Sequence, residues 1–256
     1  RDLGARDLPD PQASVLSTVA NFAASPLFAE AGPMPTDIAQ GQIGDCYLLA
    51  TLASLAQQEP TLIRQSITEL GDGTYAIRFQ RDGLPVYVRV DADLPTYSDV
   101  SPTPIYAKLG AQDSLWAALI EKAYAFFRTG AGTYQSLHAG WMSEVFAALG
   151  TVGQTIWRSA GVPTDLLALL RTELDAGAAI TWATSTIPAG VPLVDAHAYS
   201  VETVTLDGDG VAVSVTLRNP WRTDGGGNED DANDGLVTLR RDQIGQAFSA
   251  IMYARV

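Results

Sequence analysis

The only cysteine of this 256-residue chain, Cys46, stands in the run Gln40-Gly-Gln-Ile-Gly-Asp-Cys-Tyr-Leu-Leu-Ala50, where a Gly-Asp turn delivers it to the start of an apolar helical pattern. A helix N-terminus carries roughly half a positive charge on N–H groups without intrahelical partners. That charge favours thiolate over thiol, and the same N–H groups can receive an oxyanion. A nucleophilic role is therefore expected of Cys46. Two further residues follow in an order that suits acyl chemistry: His197 in Asp195-Ala-His-Ala-Tyr-Ser-Val201 and Asn219 in Leu217-Arg-Asn-Pro-Trp221, each beside a run of strand-like alternation. Cleaving an amide requires a nucleophile, an acid for the leaving amine and donors for the oxyanion. Cys46 would supply the thiolate. His197 would hold it as an ion pair, protonate the leaving nitrogen and then activate water, and Asn219 would orient the imidazole through its side-chain oxygen.

Each residue also has a plainer reading. A free cysteine often serves as a small buried hydrophobe, and asparagine before proline is a good turn former. The other histidine, His138, sits in Ser-Leu-His-Ala-Gly without an accompanying asparagine run and is set aside as a catalytic candidate. Cysteine proteases of the papain type use the order Cys, His, Asn with gaps of roughly 130–150 residues, and here His197 and Asn219 follow Cys46 by about 150 and about 170.

Taken together, the segments resemble the protease core of the calpains. Gln40-Gly-x-x-Gly-Asp-Cys46-x-Leu-Leu-Ala, His197-Ala-Tyr-Ser-Val and Arg218-Asn-Pro-Trp221 are similar to its three active-site motifs. Asp91-Ala-Asp-Leu-Pro-Thr96, Leu115–Ala125 and Gly132-Thr-Tyr-Gln-Ser-Leu137 are similar to further family segments, so the resemblance runs from about Ala31 to Val256. It implies an α+β, papain-like, two-lobed cysteine endopeptidase acting on protein or peptide substrates in flexible segments. It also implies that Gln40 adds a side-chain donor to the oxyanion hole beside the Cys46 N–H, and that Trp221 shields the His197–Asn219 contact from water. At the residue after the cysteine the family usually has tryptophan; Tyr47 keeps an aromatic wall there. Transfer of the acyl group to an acceptor other than water, as a thiol acyl transferase or peptide ligase, uses the same triad and stays open. So does a non-catalytic acidic binding module on the same scaffold.

No cofactor is needed for this chemistry. The resemblance implies calcium as an activator through two sites in the core, and Gly32 and Asp37 align with ligand positions of the first. The family's later acidic ligand falls at Ala147, with Glu144 one helical turn away. A second candidate is the loop Thr223–Gly235, rich in carboxylates, amides and glycines of the kind a hard cation takes but without EF-hand spacing. Its plainer reading is a solvated acidic loop. The metal-ligand set is thus left unknown.

Composition narrows the partners. A net charge of −13 leaves no basic stripe for phosphate, which argues against nucleic acid. No run of about 18 apolar residues is present to span a membrane. One cysteine gives no internal disulfide framework. The chain opens on Arg1-Asp-Leu-Gly without a charged-then-apolar leader, and it is expected to be part of a longer protein of unassigned compartment.

The elements that must position these residues follow from periodicity. Residues 1–30 are expected to be a lead-in or linker with one short helix at Val15–Ala24. Leu48, Leu49, Leu52 and Leu55 set a helix from Cys46 to the Glu59-Pro60 stop. Thr74–Gln80 and Leu84–Val90 form a hairpin around Arg81-Asp-Gly83, and helices are expected at Ser114–Phe127 and Glu144–Ala148. These make a mainly helical lobe I over 31–150. Lobe II, 151–256, begins with a helix at Thr164–Asp175 capped by Thr164 and continues in strands Ala179–Thr184, Ala198–Leu206, Val211–Leu217, Gly235–Leu239 and Phe248–Ala254. The site would lie in the cleft between a lobe carrying Cys46 and one carrying His197 and Asn219.

Overall fold

The computed structural model describes residues 8–98, 100–225 and 232–255. In chain order its main elements are β1 (Thr18–Asn21), α1 (Cys46–Gln58), α2 (Pro60–Ser66), β2 (Ile67–Glu69), β3 (Thr74–Arg81), β4 (Leu84–Asp91), β5 (Asp93–Thr96), α3 (Trp116–Phe127), α4 (Met142–Ala148), β6 (Gln154–Trp157), α5 (Leu166–Asp175), β7 (Ala178–Ala183), β8 (Ala198–Leu206), β9 (Ala212–Arg218), β10 (Leu236–Arg240) and β11 (Ala250–Arg255). Short 3₁₀ turns join several of them. The sheets are antiparallel: a pair β1-β5, a three-stranded β2-β3-β4, and a six-stranded β10-β9-β8-β7-β11-β6.

Local chemistry accounts for most boundaries. In the β3-β4 hairpin Asp82 and Gly83 both adopt positive φ (53° and 76°), the two-residue turn whose twist matches the flanking strands. Helix α1 ends where Glu59 turns extended (φ −141°), and Pro60, which cannot donate an N–H, starts α2 instead of merely stopping α1. Helix α5 is capped by Asp165, whose carboxylate accepts the Ala168 N–H at 3.1 Å, and not by Thr164. The helix expected at Val15–Ala24 is not formed. Thr18–Asn21 is strand β1, held by pairing with β5, a partner more than seventy residues away that no local periodicity reveals.

Two apolar cores result. One gathers α1, α3, α4 and the β3-β4 hairpin around Leu48, Leu52, Phe79, Trp116, Leu119 and Phe146. The other packs α5 against the large sheet through Leu167, Leu170, Ile180, Trp182, Tyr199 and Leu217. The first extends across to the large sheet through Met252 and through Ala179, Ala183, Ala198 and Ala250, whose small side chains let the nearly all-buried α1 lie close on that sheet. One buried cation ties three segments together. Lys122 of α3, fully buried, donates to Asp91 Oδ1 at 2.6 Å, to the Asp93 carbonyl and to Asp10 at 2.5 Å, tying the N-terminal segment and the end of β4 to α3. Removing one partner of such a buried pair typically costs about 3–5 kcal/mol. That bond explains the Asp91–Thr96 run noticed in the sequence.

Candidate active site

Cys46 is the first residue of α1, after the N-cap Asp45. The approach to it is set by close packing. A Cβ on Gly41 would overlap the carbonyl oxygens of Ile105 and Tyr106, so the chain can pass there only as glycine, and the Gln42 N–H then donates to the Ile105 carbonyl at 3.0 Å. The Asp45 carbonyl accepts from the Leu48 and Leu49 N–H groups to open the helix. The cleft above holds about 510 Å³ and is lined by Gln40, Cys46, Tyr47, His138, Trp141, Thr184, His197 and Trp221 among others.

His197 and Asn219 reach this cleft from adjacent strands. In the β8-β9 ladder Ser200 faces Arg218, so His197, just before β8, and Asn219, just after β9, emerge at the same end of the pair. His197 Nε2 lies 2.8 Å from Asn219 Oδ1. An amide oxygen can only accept, so Nε2 carries the proton and Nδ1 is left as the basic nitrogen. Further groups fix the pair. The His197 N–H donates to Thr184 Oγ1 at 2.8 Å, Tyr199 meets the imidazole edge-on at 5.0 Å, and the Trp221 ring lies 4.4 Å from it. The Trp221 N–H donates to Asn219 Oδ1 at 3.0 Å and Asn219 Nδ2 donates to the Asp224 carbonyl, so the asparagine amide has one orientation. The six residues singled out in the sequence, Gln40, Cys46, Tyr47, His197, Asn219 and Trp221, thus come together at one cleft or directly behind it.

The electrostatics differ from the expectation of a resting thiolate. Burial pushes the Cys46 thiol up to about 11, the neighbouring Asp45 adding to the rise, against hydrogen bonding from the Ala198 backbone. Burial pushes His197 down to about 4, against the bond to Asn219, which raises it. No hydrogen bond joins the Cys46 sulfur to His197 among the described residues. Burial thus favours the neutral form of each near pH 7, at the sulfur against the pull of the helix end.

Gln40 is placed at the cleft, but its Nε2 donates to the Ile43 carbonyl at 2.6 Å and its Oε1 is buried without a donor. Tyr47 lies beneath the cleft more than beside it, buried with the Arg128 guanidinium 5.0 Å above its ring and Gly140 packed against its edge. His138, set aside from the sequence, stands at the rim against Gly44. Sequence reasoning also passed over Thr184, Tyr199 and Trp141. Tyr199 had a signal, since it lies two residues along a strand from His197 and so shares its face. Behind Cys46, the buried Asp45 carboxyl faces the buried Glu121 carboxyl, with its own N–H and the Gln40 amide nearby, and Glu121 accepts the Ala107 N–H at 2.9 Å. Burial raises the pKa of both.

The residues aligned with a calcium site are otherwise engaged. The buried Asp37 carboxylate accepts N–H bonds from Met34 at 2.9 Å, Ala111 at 2.9 Å and the Trp116 indole at 2.7 Å, filling three of its roughly four lone-pair positions. The Arg64 guanidinium lies against Gly32, and Glu144 pairs with Arg128 at 3.0 Å. As placed, this set does not fit a calcium ion, which takes six to eight oxygens. Of the acidic loop 223–235, residues 226–231 lie outside the described residues, and Asp224 is buried and accepts the Gly235 N–H. Among the described residues no three or more His, Cys, Asp or Glu side chains gather into a metal-binding group, and no helix is long and apolar enough to cross a membrane.

Comparison with known proteins adds an independent line. The family model described as calpain family cysteine protease matches residues 15–229. The chain is 34% identical over 221 residues to the calpain-1 catalytic subunit of Rattus norvegicus, covering 77% of this chain and 29% of that protein. It is 31% identical over 238 residues to calpain-8 of Homo sapiens, covering 86% and 33%. To calpain-B of Drosophila melanogaster it is 30% identical over 222 residues, covering 80% and 23%. The chain spans about a quarter to a third of the length of these relatives. Its helices and antiparallel sheets form the papain-like protease core, and with a family match over most of its length the chain belongs to the calpain family of cysteine proteases.

Proposed function

We propose that this chain is the catalytic part of a cysteine endopeptidase in which Cys46, His197 and Asn219 act as a triad on flexible segments of protein substrates. The observation that carries this reading is the 2.8 Å bond between His197 Nε2 and Asn219 Oδ1 in the cleft that also holds Cys46 at the N-terminus of α1. That bond leaves Nδ1 basic, so His197 takes the thiol proton as the sulfur attacks the carbonyl carbon, then delivers it to the leaving nitrogen. A water deprotonated by the same nitrogen hydrolyses the thioester and regenerates the thiol. The tetrahedral oxyanion is received by the unpaired N–H at the start of α1 and by Gln40, whose amide must swing from Ile43 to reach it.

The cleft holds about 510 Å³ between apolar walls at Trp141, Met142, Val194 and Trp221 and polar ones at Gln40, Thr184 and Asp195, room for a few residues of an extended chain. The test is cleavage of an unstructured protein followed by mass spectrometry of the products, with Cys46→Ala and His197→Ala as controls and with added amines. Hydrolytic ends that vanish in both variants support the proposal. Products capped by the amine would indicate acyl transfer, and equal cleavage by the variants would remove the triad from consideration.

A further inference from the structure

We propose that Arg222 is a cationic latch built into the chain, a positioning residue that holds the Asn219–Trp221 turn of the β-rich half against residues 36–40 of the helical half and thereby sets the spacing of the two sides of the active site. The proposal rests on the catalytic reading above. Arg222 Nε donates to the Ile38 carbonyl at 3.0 Å and Nη2 to the Thr36 carbonyl at 2.7 Å. One residue earlier in the same turn the Pro220 carbonyl accepts the Gln40 N–H at 2.8 Å. The 36–40 segment runs directly into the loop that presents Cys46, while the turn bears Asn219 and the Trp221 ring lying on His197. Three bonds therefore join the nucleophile's side to the histidine's side at one place.

The backbone of Arg222 argues that its side chain is the reason it is there. Its φ is +59°, in the left-handed region that glycine enters freely and a residue with a Cβ does not. The Arg222 N–H donates to the Asn219 carbonyl at 3.1 Å, a turn bond that glycine would make equally well. What glycine cannot do is place a planar fork of donors on two carbonyls of the other half. Lysine carries its three donors on one compact ammonium and lacks the planar fork whose separate nitrogens Nε and Nη2 reach the two carbonyls here. Thr36 and Ile38 flank Asp37, and the guanidinium lies within electrostatic reach of that buried carboxylate. A fixed cation thus lies across the two halves close to Asp37, whose own oxygens are taken up by N–H donors.

The test uses Arg222→Gly, which relieves the backbone, and Arg222→Lys, which keeps the charge. Three quantities are read: amide hydrogen exchange of residues 36–42, melting temperature, and kcat and KM on a peptide substrate. The latch predicts that the Gly variant keeps its melting temperature while exchange at Gln40 accelerates about tenfold or more. It also predicts that kcat falls about ten- to a hundredfold with KM within about threefold of wild type. Millimolar methylguanidinium restores part of kcat to the Gly variant and none to the Lys variant. Unchanged exchange and kcat in the Gly variant overturn the proposal. So does exchange raised throughout the β-rich half with a fall in melting temperature and no rescue, which would mark a structural role only. If wild-type protein cleaves no peptide, the catalytic reading fails, and exchange at 36–42 still decides the latch.

Discussion

His197 and Asn219 meet through Nε2 and Oδ1 at 2.8 Å, and that oxygen also accepts the Trp221 N–H at 3.0 Å. One amide oxygen therefore fixes both the tautomer of the imidazole and the indole that covers it. Asn219→Ala removes the acceptor from a buried ring and frees Trp221, so kcat is expected to fall about a hundredfold with little change in KM. Asn219→Asp keeps the acceptor and adds a charge that stabilises imidazolium, which moves the acid limb of kcat/KM upward from the region of pH 4 where His197 now titrates. Full activity in Asn219→Ala would remove the residue from the mechanism.

The neutrality of the resting pair has its own signature. With the Cys46 thiol raised to about 11 and His197 lowered to about 4, burial disfavours an ion pair between them. Alkylation by iodoacetamide is expected to rise with unit slope from about pH 7 to about pH 10 without a plateau, and His197→Ala should change it little, although the same substitution abolishes peptide cleavage. A plateau at or below neutral pH that disappears in His197→Ala would show a preformed thiolate–imidazolium pair. Stability follows the opposite direction to a paired histidine. A histidine whose pKa is lowered by folding contributes stability above its unfolded value near 6.5 and loses it as the pH falls toward about 4.

These two residues and Cys46 were legible in the sequence because each sits in a short run that dictates its own surroundings: a glycine-lined helix start, the residue before a strand, the residue after one. The Arg81-Asp-Gly83 hairpin was legible for the same reason. Strand β1 was not, since its partner β5 lies far along the chain and its own residues alternate weakly, and the edge strand β6 was missed likewise. Arg222 and the Asp45–Glu121 pair were invisible for a related reason. Their roles lie in contacts between segments about 185 and 76 residues apart, which no spacing rule along the chain encodes.

Gln40 occupies the cleft with its donor turned away, on the Ile43 carbonyl at 2.6 Å. If that amide turns to the oxyanion during attack, Gln40→Ala should lower kcat by about 10²–10³ with KM nearly unchanged, the cost of one oxyanion donor. Loss of less than about threefold would leave the N–H groups at the start of α1 as sufficient donors.

Calcium is expected to leave the fold unchanged. The Asp37 oxygens hold three N–H donors and the Arg64 guanidinium lies against Gly32, so the ion would have to break these bonds to bind. A ligand at a hundred times its Kd would stabilise by about 2.7 kcal/mol, several degrees of melting temperature. Melting curves in millimolar calcium and in chelator should therefore superimpose to within about one degree. A shift of several degrees would show that the 32–37 segment rearranges to take the ion.

The buried acids behind the nucleophile give the last prediction. Asp45 is raised by burial to about 7 and Glu121 well above its usual range, and the two carboxyls face each other. A single proton held between the two carboxyls removes one charge from the interior and lets Glu121 donate to Asp45. In the unfolded chain both carboxyls lose their protons near pH 4, so the fold binds more protons than the unfolded chain above that pH. The singly protonated pair's contribution is complete below the unfolded values and is lost as pH rises through about 7. Melting temperature should thus decline between about pH 6.5 and about pH 8, above the range in which His197 acts in the opposite sense. Glu121→Gln can still accept the Ala107 N–H and can donate its amide to an ionised Asp45, which needs no shared proton. The decline should therefore flatten in that variant. An unchanged slope would mean that the two acids titrate separately and that the turn before Cys46 is held by other bonds.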